Sequence, residues 1–188
     1  MKNSRGFSLI EVLVTIVLTT VGILGMVALQ SKSIQYTQDS VNRNTAIALT
    51  NELVEIMRAN RDDLFVKKPP AEPMYSNLAE DTEFYKADGS FDFVVGDCSA
   101  GLAQTAKQQA GCWLKKAQAS LPDAADATIA GNFMVCPSYE LDDGTPKCAG
   151  SAYTGSTMAI QLAWRSKEKV CGKNSDSDIC TFTTRVEL

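Results

Sequence analysis

Histidine is absent from this 188-residue chain. That removes the side chain used most often as a general base, together with Ser-His-Asp and Cys-His catalysis and imidazole metal ligation. No two cysteines form a C-x-x-C pair, so a zinc site lacks its usual spacing. A basic excess is also missing. Eighteen Lys+Arg stand against 22 Asp+Glu, for a net charge of −4. Broad nucleic-acid binding needs a basic face, so direct binding is not expected. No residue pair reads as a nucleophile and its base, so no enzyme activity and no cofactor are expected. Proline does not occur before Pro69, and nothing earlier forbids one uninterrupted helix.

What is present is strongly uneven. Residues 1–6 carry Lys2 and Arg5 and no acid. From Val12 to Leu29 there are 18 residues without a charge, and the uncharged run continues to Lys32. At about 1.5 Å per residue, the stretch from Phe7 to Leu29 is long enough to cross a bilayer as a helix. Lys2 and Arg5 precede it, so the positive-inside rule puts Met1 in the cytoplasm and everything after Lys32 outside. A secretory signal peptide is the competing reading. Such a peptide has a shorter apolar core and a prompt small-residue cleavage site, and neither is seen here.

Glu11 interrupts the start of the apolar stretch. A carboxylate there costs a few kcal/mol unless it is paired, protonated or close to the interface. One reading leaves Glu11 among the headgroups with no further meaning. The other gives it a partner.

The run Gly6-Phe7-Ser8-Leu9-Ile10-Glu11, with a short basic leader before it and an uncharged helix after it, resembles the type IV prepilin signature. The class includes pilins and the pseudopilins of type II secretion. The resemblance implies that a prepilin peptidase cuts between Gly6 and Phe7 and methylates Phe7. It also implies that Glu11 pairs with the amino terminus of a neighbouring subunit. The physics agrees, since a buried carboxylate and a buried ammonium are each costly alone and tolerable together.

The helix is expected to continue beyond the membrane. Ile34, Val41, Ala48/Leu49, Leu53 and Ile56/Met57 keep a near-heptad stripe, with Glu52, Glu55 and Arg58 on other sides. A helix from Phe7 to about Asn60 would be roughly 80 Å long. Its second half should pack on a globular domain. Gly22 and Gly25 are weak helix formers that would permit local unwinding or close approach of neighbours. Many major pilins carry a proline in this helix; this chain has none.

Lys67-Lys68-Pro69-Pro70-Ala71-Glu72-Pro73 reads as a linker. Beyond it, Ala106 to Leu121 reads as an amphipathic helix, with Ala110, Trp113, Leu114, Ala117 and Leu121 on one face and Pro122 ending it. Phe133–Cys136, Thr157–Trp164 and Thr181–Glu187 read as strands, the last two as an antiparallel pair. The expected organisation is a leader over 1–6, a transmembrane and assembly helix over 7–31, its amphipathic second half over 32–66 and a periplasmic domain over 67–188. The fold class is α+β, a long N-terminal helix on a small antiparallel sheet. The resemblance makes this a disulfide-stapled pilin-like fold.

All six cysteines follow the apolar segment. An even count outside the cytoplasm reads as disulfides, with free buried thiols as the alternative. Sequence alone leaves the pairing open. Local loops between sequential neighbours would give Cys98–Cys112, Cys136–Cys148 and Cys171–Cys180. Asp142-Asp143-Gly144 and Asn174-Ser175-Asp176-Ser177-Asp178 offer oxygen ligands for Ca²⁺ but lack EF-hand spacing, and solvated turns are the better reading. Lys115-Lys116 and Arg165 to Lys169 read as solvated basic faces, with DNA contact at a pilus tip as the other use. Trp113 and Trp164 read as core.

Val21-Gly22-Ile23-Leu24-Gly25-Met26-Val27-Ala28-Leu29-Gln30, Ile34-Gln35-Tyr36-Thr37-Gln38-Asp39-Ser40, Gly111-Cys112-Trp113, Leu162-Ala163-Trp164-Arg165 and Cys180-Thr181-Phe182-Thr183-Thr184-Arg185-Val186 are similar to the PilV-type minor pilins of type IV pili. The resemblance implies a low-copy subunit that primes fibre assembly at the inner membrane and stays near the tip. It would serve twitching motility, adhesion and DNA uptake. Its partners would be the prepilin peptidase, other minor pilins, the major pilin and a tip adhesin. A minor pseudopilin of a type II secretion system is the alternative.

Overall fold

The computed structural model describes residues 8–91, 98, 105–149, 153–166 and 178–188. The boundary between two compact units falls after Gln38. Helix α1, Leu9–Ala59, begins in the first unit and ends in the second.

In the first unit, no described residue of α1 is buried. Leu13, Ile16, Leu18, Ile23, Leu24 and Leu29 are all exposed. Burial begins only in the second unit, at Ala46, and continues through Leu49, Thr50, Leu53, Val54 and Met57. This set recurs every three or four residues, the spacing of one face of a helix. The expected stripe is corrected at its start, because Ile34 and Val41 are more than half exposed.

The helix ends at Ala59, close to the expected Asn60 and short of residue 66, where its amphipathic half was expected to end. Asn60 is the reason. Its Nδ2 folds back to donate to the Ile56 carbonyl at 2.7 Å and also reaches Gln109 Oε1 at 2.9 Å. An amide side chain that bonds the last turn competes with continued helix. One further turn, α2 (Arg61–Leu64), leads into strand β1 (Phe65–Lys67), and Leu64 and Phe65 both enter the core. β1 pairs antiparallel with β2 (Ser76–Leu78). The expected linker therefore serves as the connection of a small two-stranded sheet.

Helix α3 runs from Ala106 to Ser120. Thr105 and Gln108 form a reciprocal capping box at its start, and the chain is extended at Leu121, just before Pro122. A single turn, α4 (Ala127–Ala130), follows, capped by Asp126. The main sheet then forms from β3 (Met134–Pro137), β6 (Thr157–Arg165) and β7 (Ile179–Glu187), in the order β3-β6-β7, all antiparallel. β6 is central, so Ala159, Gln161 and Ala163 are buried as well as Met158, Ile160, Leu162 and Trp164. Gln161 tolerates burial because its Nε2 donates to the Asn132 carbonyl and its Oε1 accepts from Thr183 Oγ1.

Between β3 and β6 lies a hairpin of β4 (Glu140–Asp142) and β5 (Thr145–Lys147). Its turn residues Asp143 and Gly144 both have positive φ, 47° and 88°. An Asp-Gly pair suits that two-residue turn because its twist matches the strands. The Asp142-Asp143-Gly144 cluster is thus a hairpin tip. Of the second acidic cluster, only Asp178 is among the described residues.

The second half of α1 shares one hydrophobic core with α3 and the main sheet, built around Leu53, Met57, Trp113, Val135, Ile160, Leu162 and Trp164. The arrangement is α+β: a long helix over a small antiparallel sheet.

Candidate assembly site

The exposed part of α1 carries the features that the sequence singled out. Taken alone, residues 9–38 would extend about 45 Å. The helix is long and apolar enough to cross a membrane. Its polar side chains are dealt with inside the helix. Thr15 Oγ1 donates to the Val12 carbonyl at 2.8 Å, Thr19 Oγ1 to Thr15 at 2.8 Å and Thr20 Oγ1 to Val17 at 2.8 Å. Hydroxyls satisfied this way can face lipid or another apolar helix at little cost.

Glu11 is different. It is exposed in the first turn, and among the described residues no cation pairs with it. Between Ser8 and Leu29 it is the sole ionisable side chain. An apolar surface with one carboxylate needs a cationic partner when it is covered. Gly6 and Phe7 lie outside the described residues. At Gly22 and Gly25 an added Cβ would meet nothing within 4 Å, so both positions are open notches in the helix surface.

In the second unit, several side chains fix the C-terminal part of α1. The buried Trp113 Nε1 donates to the Leu49 carbonyl at 2.8 Å. Its ring stacks on Phe91, with centroids 5.7 Å apart and planes 14° apart. Lys116 pairs with Glu52 at 2.7 Å. Arg58 reaches Glu55 at 3.0 Å and the Glu187 carbonyl at 3.3 Å. Lys116 was read as part of a solvated basic face and instead links α3 to α1. Arg165 pairs with Asp123 at 3.1 Å and with Asp178. Residues 167–169 of that basic cluster lie outside the described residues. The contacts that tie α1 to α3 and β7 join positions 64 or more residues apart, and no local sequence pattern marks them.

Disulfides join Cys98 to Cys112 and Cys136 to Cys148. The first ties α3 to the preceding chain, and the second closes the β4–β5 loop. At the base of that loop, Ser138 Oγ lies 2.7 Å from both the Glu140 and Lys147 carbonyls. Cys180 is also disulfide-bonded, and Cys171 lies outside the described residues.

The shifted titrations belong to packing. Burial, and then the nearby Asp81 charge, push the Tyr85 phenol well above its ordinary value, and its hydroxyl donates to the Ala79 carbonyl at 2.7 Å. The Asp126 carboxylate is held low, chiefly because it accepts from the Thr128 backbone N–H at the start of α4. Among the described residues no cluster of three or more Cys, Asp and Glu is placed to hold a metal ion.

Two family models match the chain. The prokaryotic N-terminal methylation motif covers residues 1–27, and the family described as type IV pilin Tt1218 covers residues 28–110. No curated protein and no solved structure matches. The motif implies processing by a prepilin peptidase and assembly with other pilins. The second match spans the C-terminal part of α1 through the first turn of α3. With the long exposed helix, the small antiparallel sheet and the disulfides, these matches make the chain a type IV pilin-like protein, a structural subunit with a disulfide-stapled α+β pilin fold.

Proposed function

We propose that this pilin is a minor, low-copy subunit of a type IV pilus that primes fibre assembly and stays at or near the tip. The observation that carries the reading is an apolar helix surface, exposed along its length, whose sole ionisable group is Glu11. Such a surface is suited to a bilayer and then to a bundle of like helices. In this reading Lys2 and Arg5 stay on the cytoplasmic side and the domain lies in the periplasm before assembly. The peptidase cuts after Gly6 and methylates Phe7. Glu11 then pairs with the amino terminus of a neighbouring subunit. The third disulfide is Cys171–Cys180. The resemblance of the 21–40 segment and of the later Trp113, Trp164 and Cys180 motifs to PilV-type chains supports the minor-pilin assignment.

A clean deletion with complementation tests this function. Surface pili, twitching and secretion of extracellular enzymes are scored together. Loss of pili and twitching with normal secretion is the expected result. Loss of secretion with normal pili would move the chain to the minor pseudopilins.

A further inference from the structure

A hollow beside the two-stranded sheet carries the inference. Its volume is about 310 Å³, near the lower end of the range for small-molecule sites. Val66 of β1, Asn77 of β2, Pro137 at the end of β3, Tyr153, Glu80 and Thr154 line it. Val66, Glu80 and Thr154 are exposed, so solvent reaches the lining. Residues 150–152, which join Ala149 of the lining to Tyr153, lie outside the described residues.

The Tyr153 ring is fixed in place. Its hydroxyl donates to the Thr157 carbonyl at 2.9 Å and accepts from the Thr157 N–H at 3.1 Å. The ring also stacks on Tyr139, with centroids 5.9 Å apart and planes 10° apart. An aromatic wall already held this way loses little freedom when a ligand packs on it. The polar side chains of the lining are not engaged. Among the described residues, no hydrogen bond or ion pair reaches the side chains of Asn77, Glu80 and Thr154. Asn77 is half-buried, so its amide is partly withdrawn from water with no protein partner to replace it. It sits at φ 58°, a backbone angle that asparagine and glycine adopt more readily than other residues.

The lining selects against several ligand classes. Its described residues include no lysine or arginine, and Glu80 is their sole carboxylate, so an anion meets no attraction there. Glu80 is exposed, and a screened ion pair at such a position is too weak to hold a cation by itself. An extended peptide needs a row of free backbone groups. Here the Leu78 N–H donates to the Gly155 carbonyl and the Ala149 N–H to the Pro137 carbonyl, so the bordering backbone is bonded within the chain. The free groups are an amide, a carboxylate and a hydroxyl beside an aromatic ring. That set suits a neutral ligand with an apolar face and several hydroxyls. The C–H face of a sugar ring packs on an aromatic face, and its hydroxyls donate to a carboxylate and bond an amide both ways.

We propose that this hollow binds a neutral saccharide of one or two rings, packed on Tyr153 and hydrogen-bonded by Asn77 and Glu80. This activity goes beyond the pilin reading and does not depend on where the chain sits in a fibre.

The test uses the full chain in lipid nanodiscs, which avoids detergents with sugar headgroups. The probe is an array of neutral, sialylated and sulfated glycans, whose multivalent display makes weak binding detectable. The free disaccharide of each bound glycan is then titrated by ligand-observed NMR. Neutral glycans should bind. Asn77→Gly keeps the backbone angle and removes the amide, and should weaken binding at least about tenfold. Glu80→Ala alters an exposed position with no bond to the fold, and should weaken binding at least about fivefold. Binding to no glycan, or only to sialylated or sulfated ones, would overturn the proposal. Neutral-glycan binding that is unchanged in both variants would place the site elsewhere and overturn it as well. The pilin reading survives each of these results, because it rests on α1 and the family matches.

Discussion

Trp113 provides the sharpest test of how the domain grips α1. Its ring is 2% exposed, stacks on Phe91 and donates to the Leu49 carbonyl at 2.8 Å. Trp113→Ala removes all three contributions and leaves a cavity, at a cost of about 3–5 kcal/mol. Trp113→Phe keeps an aromatic ring against Phe91 and loses the N–H. The Leu49 carbonyl still accepts its helical bond, so no acceptor is stranded. The hydrogen bond itself then costs about 1 kcal/mol, and the smaller ring about another. For a unit of this size each kcal/mol shifts Tm by roughly 2–4 °C, so the alanine variant should melt roughly 6–20 °C lower. Near-UV circular dichroism of the full chain in detergent reads this transition. Equal losses for the two variants would refute the reasoning, because the ring contact would then contribute nothing.

Other predictions follow from single positions. Gly89 has φ +83°, and a Cβ there would lie 2.7 Å from Cys148 Sγ. Gly89→Ala should therefore destabilise by about 1–3 kcal/mol, read by urea titration. The Tyr85 phenol has a folded pKa above its unfolded value, so its contribution is complete below about pH 10 and is lost as pH rises further. Melting followed from pH 9 upward should show a fall that Tyr85→Phe flattens, and an unchanged slope would contradict the burial argument. Glu11→Ala should leave membrane levels near wild type while reducing fibre incorporation at least about tenfold, measured by immunoblot of membrane and sheared fractions. A parallel loss from the membrane would mean that Glu11 serves insertion instead.

The elements with local punctuation were legible. Pro122 after an amphipathic run gave α3 within one residue, and the alternation from Met158 to Trp164 gave β6. The antiparallel β6–β7 pair followed from two strands joined by a polar loop. Burial of both β6 faces was hidden, because Ala159 and Ala163 are small and Gln161 is polar. The approximate end of α1 near Asn60 was legible, but the contact between Asn60 and Gln109 that accompanies it was not. The β4–β5 hairpin did leave a signal, the Asp143-Gly144 pair. With only Leu141 and Pro146 as apolar flanks, it read as an isolated turn. At the assembly site, Glu11 stood out because one charge in an apolar run is conspicuous. The anchors on the other half of α1 did not, because Trp113 and Lys116 meet it from 64 residues away.

The most direct measurement is the intact mass of this chain recovered from sheared fibres. A chain that begins at Phe7, carries one added methyl group and has all six cysteines oxidised is the predicted result. A chain in the fibre that still begins at Met1, or one with six free thiols, would contradict it.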